Sequence, residues 1–195
     1  MSGTSAGTGP NTVADDFSVG GAGWNVQTLS FFSYQSFAAS AFTFTNATWS
    51  VIKGDVNTGT LVASGITAVT NGGLQGFRVT STTLTNTDRA IFRVNVDVPD
   101  FNLAAGSYWL RWSLAGSTTL SGPWQPPTAD GRVGNAQQAQ GAAAFGAVVD
   151  AGDSLGMELP FVIGGTVNAV PEPATYALWA MGVVAMVGAA RRRKG

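Results

Sequence analysis

The clearest regularity along the chain is a two-residue period. Between Ala90 and Val98, the residues Ala90, Phe92, Val94, Val96 and Val98 fall on one side, and Ile91, Arg93, Asn95 and Asp97 on the other. That alternation belongs to a strand with one buried face, and Pro99-Asp100 is expected to end it. The pattern returns over Ser107–Ala115, where Tyr108, Leu110, Trp112 and Leu114 share one face and Trp109, Arg111 and Ser113 the other. Gly116-Ser117 closes that run. Trp24–Tyr34 and Ala41–Ile52 are dense in aromatic and β-branched residues and predict two more strands. Thr60–Thr70 and Phe77–Leu84 are weaker runs, split by the turn signal Asn71-Gly72-Gly73. Further on, Ala142–Val149 reads as a strand or a helical turn. Together with the strand expected at Leu155–Ile163 it flanks a turn at Asp150-Ala151-Gly152-Asp153.

Seven or eight short runs joined by Gly-rich turns predict an all-β fold. The expected architecture over residues 15–169 is an antiparallel β-sandwich, jelly-roll-like. About 150 residues is enough for two sheets around one core. Residues 1–14 are small and polar, lack the apolar stretch of a secretory signal, and predict a flexible leader.

Beyond Val170 the two-residue period vanishes. Ala174–Ala190 holds no charged residue, and Leu178, Trp179, Met181, Val183, Val184, Met186 and Val187 surround a helix on every side. A surface helix keeps a polar stripe. Seventeen helical residues span about 26 Å at roughly 1.5 Å each, within the range of about 17–25 residues that crosses a bilayer. Arg191, Arg192, Arg193 and Lys194 follow, and basic flanks favour the cytoplasmic side and anionic lipid heads. Residues 170–195 therefore predict a single C-terminal transmembrane helix at about 174–190, with the β domain outside the cell.

Composition narrows the chemistry. The chain has 195 residues and no Cys or His, which excludes thiol nucleophiles, Ser-His-Asp triads, zinc held by Cys or His, and disulfides. Residues 1–169 hold six basic and ten acidic side chains, a net charge of −4. Such a body has no basic patch for a phosphate backbone, so nucleic acid is not an expected partner. No cofactor and no catalytic constellation is expected.

The tail points to a family. Val170-Pro171-Glu172-Pro173-Ala174-Thr175, the apolar stretch with Gly182 and Gly188, and the basic cluster Arg191–Lys194 occur in that order. This arrangement resembles the PEP-CTERM sorting signal of Gram-negative bacteria. The resemblance implies export, temporary anchoring in the inner membrane, and processing near Pro171, Glu172 and Pro173 by an exosortase, a membrane transpeptidase. It also implies delivery to the envelope or matrix, with exopolysaccharide as a partner. The prolines fit a peptidase site, because they hold the segment extended and deny a helical start upstream. The polar leader departs from the signal peptide that such proteins carry.

The β region is also similar to the ectodomain found in many proteins of that group. The similar blocks are Asp15-Asp16-Phe17, Gly23-Trp24, Phe32-Ser33-Tyr34-Gln35, Asn86-Thr87-Asp88-Arg89, Ala105–Leu110, Gly122-Pro123-Trp124-Gln125-Pro126-Pro127 and Leu159-Pro160-Phe161. No activity follows from them.

Within the β region a few residues invite chemistry. Trp124, in a Gly/Pro-rich loop, is a candidate platform for a sugar face, with Trp109 and Arg111 as candidate extensions; packing within the sandwich is the competing use of both indoles. Asp55 and Asn57 have the odd-position oxygens of a calcium loop but lack its later Gly and Glu, and a side-chain-bonded turn explains them equally. Asp15-Asp16 reads as a solvated pair. Asp97, Asp100, Asp130 and Glu158 are the carboxylates that a glycosidase would need in pairs, at separations the sequence does not fix. The reading that follows is an exported envelope or extracellular-matrix protein without enzymatic activity. A carbohydrate-binding module is the second reading and a glycoside hydrolase the third.

Overall fold

In the computed structural model, which describes residues 4–5, 11–128, 134–150 and 154–169, the alternating runs become ladder strands. They are β1 (Thr4–Ser5), β2 (Asn11–Val19), β3 (Trp24–Ser36), β4 (Asn46–Lys53), β5 (Thr60–Phe77), β6 (Ala90–Leu103), β7 (Gly106–Ala115), β8 (Ser121–Gln125), β9 (Gln137–Gln140), β10 (Gly146–Ala147) and β11 (Phe161–Val167). Every pairing is antiparallel.

The pairings are nested. β1 bonds β8, β2 bonds β7, β3 bonds β6 and β4 bonds β5, as though one long hairpin had been rolled up. Cross-pairings of β8 with β3 and of β4 with β7 complete the layers β1-β8-β3-β6 and β2-β7-β4-β5. This is the strand order of a jelly roll. β9 and β10 extend the second layer beyond β2, and β11 lies along the first half of β3.

Inward side chains of the two layers interlock. Phe31 on β3 stacks on Trp112 of β7 with ring centres 5.1 Å apart, and Phe101 on β6 stacks on Trp49 of β4 at 5.7 Å. Phe161 meets both Phe17 and Trp112 edge-on. The predicted faces of β6 and β7 are the buried ones: Ala90, Phe92, Val94, Val96 and Val98, with Tyr108, Leu110, Trp112 and Leu114.

The structure corrects several boundaries. Pro99-Asp100 does not end β6, which runs on to Leu103. Val26 pairs Phe101 and Thr28 pairs Asp97, so Gln27 alone faces Val98-Pro99-Asp100. In that bulge the missing proline N–H breaks no ladder bond, and Gln27 Nε2 donates to Asp100 Oδ2 at 3.1 Å. Nor is Asn71-Gly72-Gly73 a hairpin turn; β5 passes through it as one strand of 18 residues. Its first half bonds β4 and its second half bonds β6, so β5 turns the corner between layers. A Cβ on Gly72 would lie 2.9 Å from both Cγ and the carbonyl oxygen of Arg93, which is why the corner is glycine-rich. Arg78–Leu84 is not a strand.

Ala41–Thr45 is not a strand either; Phe42 and Phe44 instead plug the end of the sandwich against Phe92. The last runs shift as well. Ala142–Val149 contributes only β10 and a bridge from Val149 to Gly156, and the final strand starts at Phe161 rather than Leu155. The expected leader boundary at 14 falls inside β2, where Val13 and Ala14 are fully buried. The expected transmembrane helix lies outside the described residues; no helix among those residues is long and apolar enough to cross a membrane.

Trp112 combines ring packing with a polar bond, its Nε1 donating to Gln125 Oε1 at 3.2 Å. Trp112→Phe is expected to keep the stack on Phe31 but lose the indole N–H bond to buried Gln125, at about 0.5–1.5 kcal/mol. Trp112→Ala should cost about 3–5 kcal/mol. Urea unfolding followed by circular dichroism checks both values and their order.

Candidate functional site

Several of the blocks that resemble the family ectodomain place polar side chains inside the fold. Asp15 on β2 is 1% exposed, in register with Leu110 of β7. Its Oδ2 accepts the Leu159 N–H at 2.6 Å and its Oδ1 the Asp16 N–H at 2.9 Å. One residue further on, the Pro160 carbonyl accepts Gln125 Nε2 at 3.2 Å, and Gln125 also accepts from Trp112. Ser33 Oγ donates to the Trp124 carbonyl at 2.9 Å. Buried Gln35 clamps Ser117 twice, donating to its carbonyl at 3.0 Å and accepting its N–H at 2.9 Å. These side chains hold main-chain groups that the ladders leave over, which is what makes a buried polar group tolerable.

Asp15 is therefore not a solvated pair with Asp16; only Asp16 is exposed. Sequence reasoning missed it because a carboxylate in an alternating run normally faces water. Its place on the same face as buried Val13, beside the buried face of β7, was the available signal. Burial pushes the Asp15 carboxyl up to about 7, against the lowering pull of the Leu159 N–H, with Glu158 and Asp16 adding repulsion.

The candidate ligand surface is divided. Trp109 and Arg111 leave β7 on the side opposite its buried face, with Asp16 and Ile52 flanking Trp109 in the ladder. Trp124 stands on β8, paired with Tyr34 and Ser5 in the other layer. The structure does not bring it to the other two. Trp124 is half-buried, and its Nε1 donates to Ser121 Oγ at 3.3 Å. Gly122, at φ +106°, passes beneath the indole, where a Cβ would lie 2.5 Å from Trp124 Cδ1. Arg111 is engaged locally: its Nη2 donates to the Val56 carbonyl and its guanidinium lies 5.0 Å from the Phe145 ring centre. Burial lowers its pKa while Asp55 pulls it back up.

The calcium candidates fasten loops. Asp55 Oδ1 accepts from the N–H groups of Asn57 and Thr58 and from Thr58 Oγ1, and these bonds hold the carboxyl below its ordinary pKa. Asn57 bonds the Phe145 carbonyl and N–H with its two amide ends. Among the described residues no three carboxylates cluster as a metal site would need. Asp97 and Asp100 flank the β6 bulge and Glu158 accepts the Asn135 N–H. Asp130 lies outside the described residues, as do Pro171, Glu172, Pro173 and Arg191–Lys194. A cavity of about 150 Å³ lies between β3 and β11, walled by Trp24 and floored by Gly164 and Gly165.

Asp15 makes stability depend on pH. Below about pH 4 it is protonated both folded and unfolded, and its contribution is fully present. As pH rises to about 7 the unfolded chain loses the proton while the fold retains it, so stability falls across that window and then levels. Thermal unfolding at pH 4.5 and 8 should show the wild type losing stability relative to Asp15→Asn, by an amount on the order of a few kcal/mol. Parallel pH profiles would refute the assignment.

The remaining candidate, the sorting segment, is identified by comparison. Residues 169–194 match the model of the PEP-CTERM protein-sorting motif. No curated protein and no solved structure matches the chain. The motif marks a protein for recognition by an exosortase and for export to the envelope, with the C-terminal region as membrane anchor before processing. The chain thus carries a PEP-CTERM sorting motif, which begins one residue after Asn168, whose N–H bonds the Gly23 carbonyl of the β-rich region.

Proposed function

We propose that the protein is a non-enzymatic component of the cell envelope or extracellular matrix, whose jelly roll is delivered by residues 170–195 and works outside the cell through its surface. The observation that carries this reading is the junction. The Asn168 N–H donates to the Gly23 carbonyl at 2.8 Å, and the sorting motif begins at residue 169. Five residues, 169–173, separate Asn168 from the start of the expected helix at 174, at most about 20 Å of extended chain. Pro171-Glu172-Pro173 falls in that short span, where a membrane peptidase reaches it, and cleavage there releases or transfers the domain. Asp15 and Asp55 spend their carboxyl oxygens on main-chain N–H groups of the fold, which fits a role in placement rather than turnover.

A tag in the exposed Ser81–Thr85 loop tests this in an exosortase-positive host. Cells lacking the exosortase should keep the full-length chain in the inner membrane, and wild-type cells should yield a shorter species outside. A full-length tail in both strains would overturn the proposal.

A second reading, binding of exopolysaccharide, is favoured by the half-exposed indole of Trp124 on its Gly122 support. Trp124→Ala should weaken binding of host polysaccharide about tenfold or more, a loss of ~1.4 kcal/mol. A wild-type protein that retains no polysaccharide would remove this reading.

A further inference from the structure

We infer that the first half of β5 is a self-association edge, on which a second copy of the chain adds its own β5 antiparallel about a two-fold axis. Thr60–Ala68 bonds β4 along one side. The ladder to β6 begins only at Val69, and among the described residues no strand pairs the other side of Thr60–Ala68. Elsewhere the edges are shorter or broken: β9 covers Asn11–Ala14 of β2, β3 is flanked by β6, β8 and β11, and β11 itself shifts register at Gly164-Gly165. Where β6 diverges from β5 it carries Asp97, Pro99 and Asp100, the charges and proline that natural edges use against unwanted pairing. β5 carries none: Thr60–Phe77 contains no charged residue and no proline. An edge left open beside a guarded one invites a strand.

The strand is complementary to itself. Antiparallel pairing centred on Ser64 places Val62 of each copy across from Ile66 of the other. Both are exposed, at 40% and 75%, and both point outward with Ser64. The arrangement pairs two β-branched side chains twice on one face and covers the most exposed large apolar residue of the first half of β5. The contact is isologous, so it closes at a dimer and removes the open edge from both copies. It requires no sorting step and stands whether or not the domain is released from the membrane.

The absence of Cys makes a direct test available. In the full-length chain in membranes, Ser64→Cys should give a disulfide-linked homodimer on mild oxidation, because directly opposed Cβ atoms lie about 4.5–5.5 Å apart. Thr82→Cys, on an exposed loop away from the edge, should not. Adding Ile66→Lys to Ser64→Cys should reduce cross-linking at least about tenfold, with the far-ultraviolet spectrum and melting temperature unchanged. Val62→Thr with Ile66→Thr, which keeps strand propensity, should reduce it too. Failure of Ser64→Cys to cross-link, equal cross-linking at Thr82→Cys, or cross-linking that both sets of edge variants leave intact would overturn the proposal.

Discussion

Trp112 has its ring face against Phe31 of the opposite layer, its edge near Phe161, and its N–H on Gln125. Gln125 in turn holds the Pro160 carbonyl, and the neighbouring Leu159 N–H is held by Asp15. One side chain thus joins both layers of the jelly roll to the segment that leads into β11. A chain without cysteine has no covalent staple with which to close a sandwich, so closure rests on apolar contact between the layers and on satisfying what that contact buries. The aromatic pairs supply the first and Asp15, Gln35 and Gln125 the second. Removing water from these polar groups would be costly if any partner were missing.

That division explains what could be read from the sequence. β6 and β7 were legible because one face of each is buried along its length, and a half-buried strand writes its environment into a two-residue period. β5 was misread because its two halves belong to different ladders; the glycines that let it turn the corner look locally like the glycines of a hairpin. Phe42 and Phe44 were misread for a related reason. A plug at the end of a sandwich needs bulk but no ladder, and composition alone does not separate the two uses. Among the site residues, Asp55 and Asn57 were legible as a polar turn. The pairing of Asn57 with Phe145 across 88 positions was not, since no local signal encodes a long-range contact. Asp15 was hidden because its partner, Leu159 N–H, is a main-chain group that leaves no trace in side-chain pattern.

The nested topology also governs where exposed edges fall. A rolled hairpin brings the ends of the chain to one side and its central turn to the other. In this protein the outer strand β2 gains β9 and β10 along Asn11–Ala14, and β3 gains β11 where β8 does not reach. The central hairpin of β4 and β5 receives no such addition among the described residues. Its unpaired side is exposed because it is the last pairing of the roll, and continuing β5 onto β6 shortens that exposure without abolishing it. The opposite end of the path is occupied differently: Asn168 pins the close of the domain to Gly23 and Ala22 at the turn between β2 and β3.

Fold alone does not assign an activity, and jelly rolls serve many. In this one, several polar side chains of the described residues are committed to main-chain groups. Asp15, Ser33, Gln35 and Gln125, all within the blocks that resemble the family ectodomain, are buried polar residues that hold main-chain groups of the interior. Trp109, Trp124 and the unpaired side of Thr60–Ala68 are among the described features that face outward. The sorting motif begins one residue after Asn168, whose N–H bonds the Gly23 carbonyl, so the envelope-directing segment follows the described β region directly in sequence.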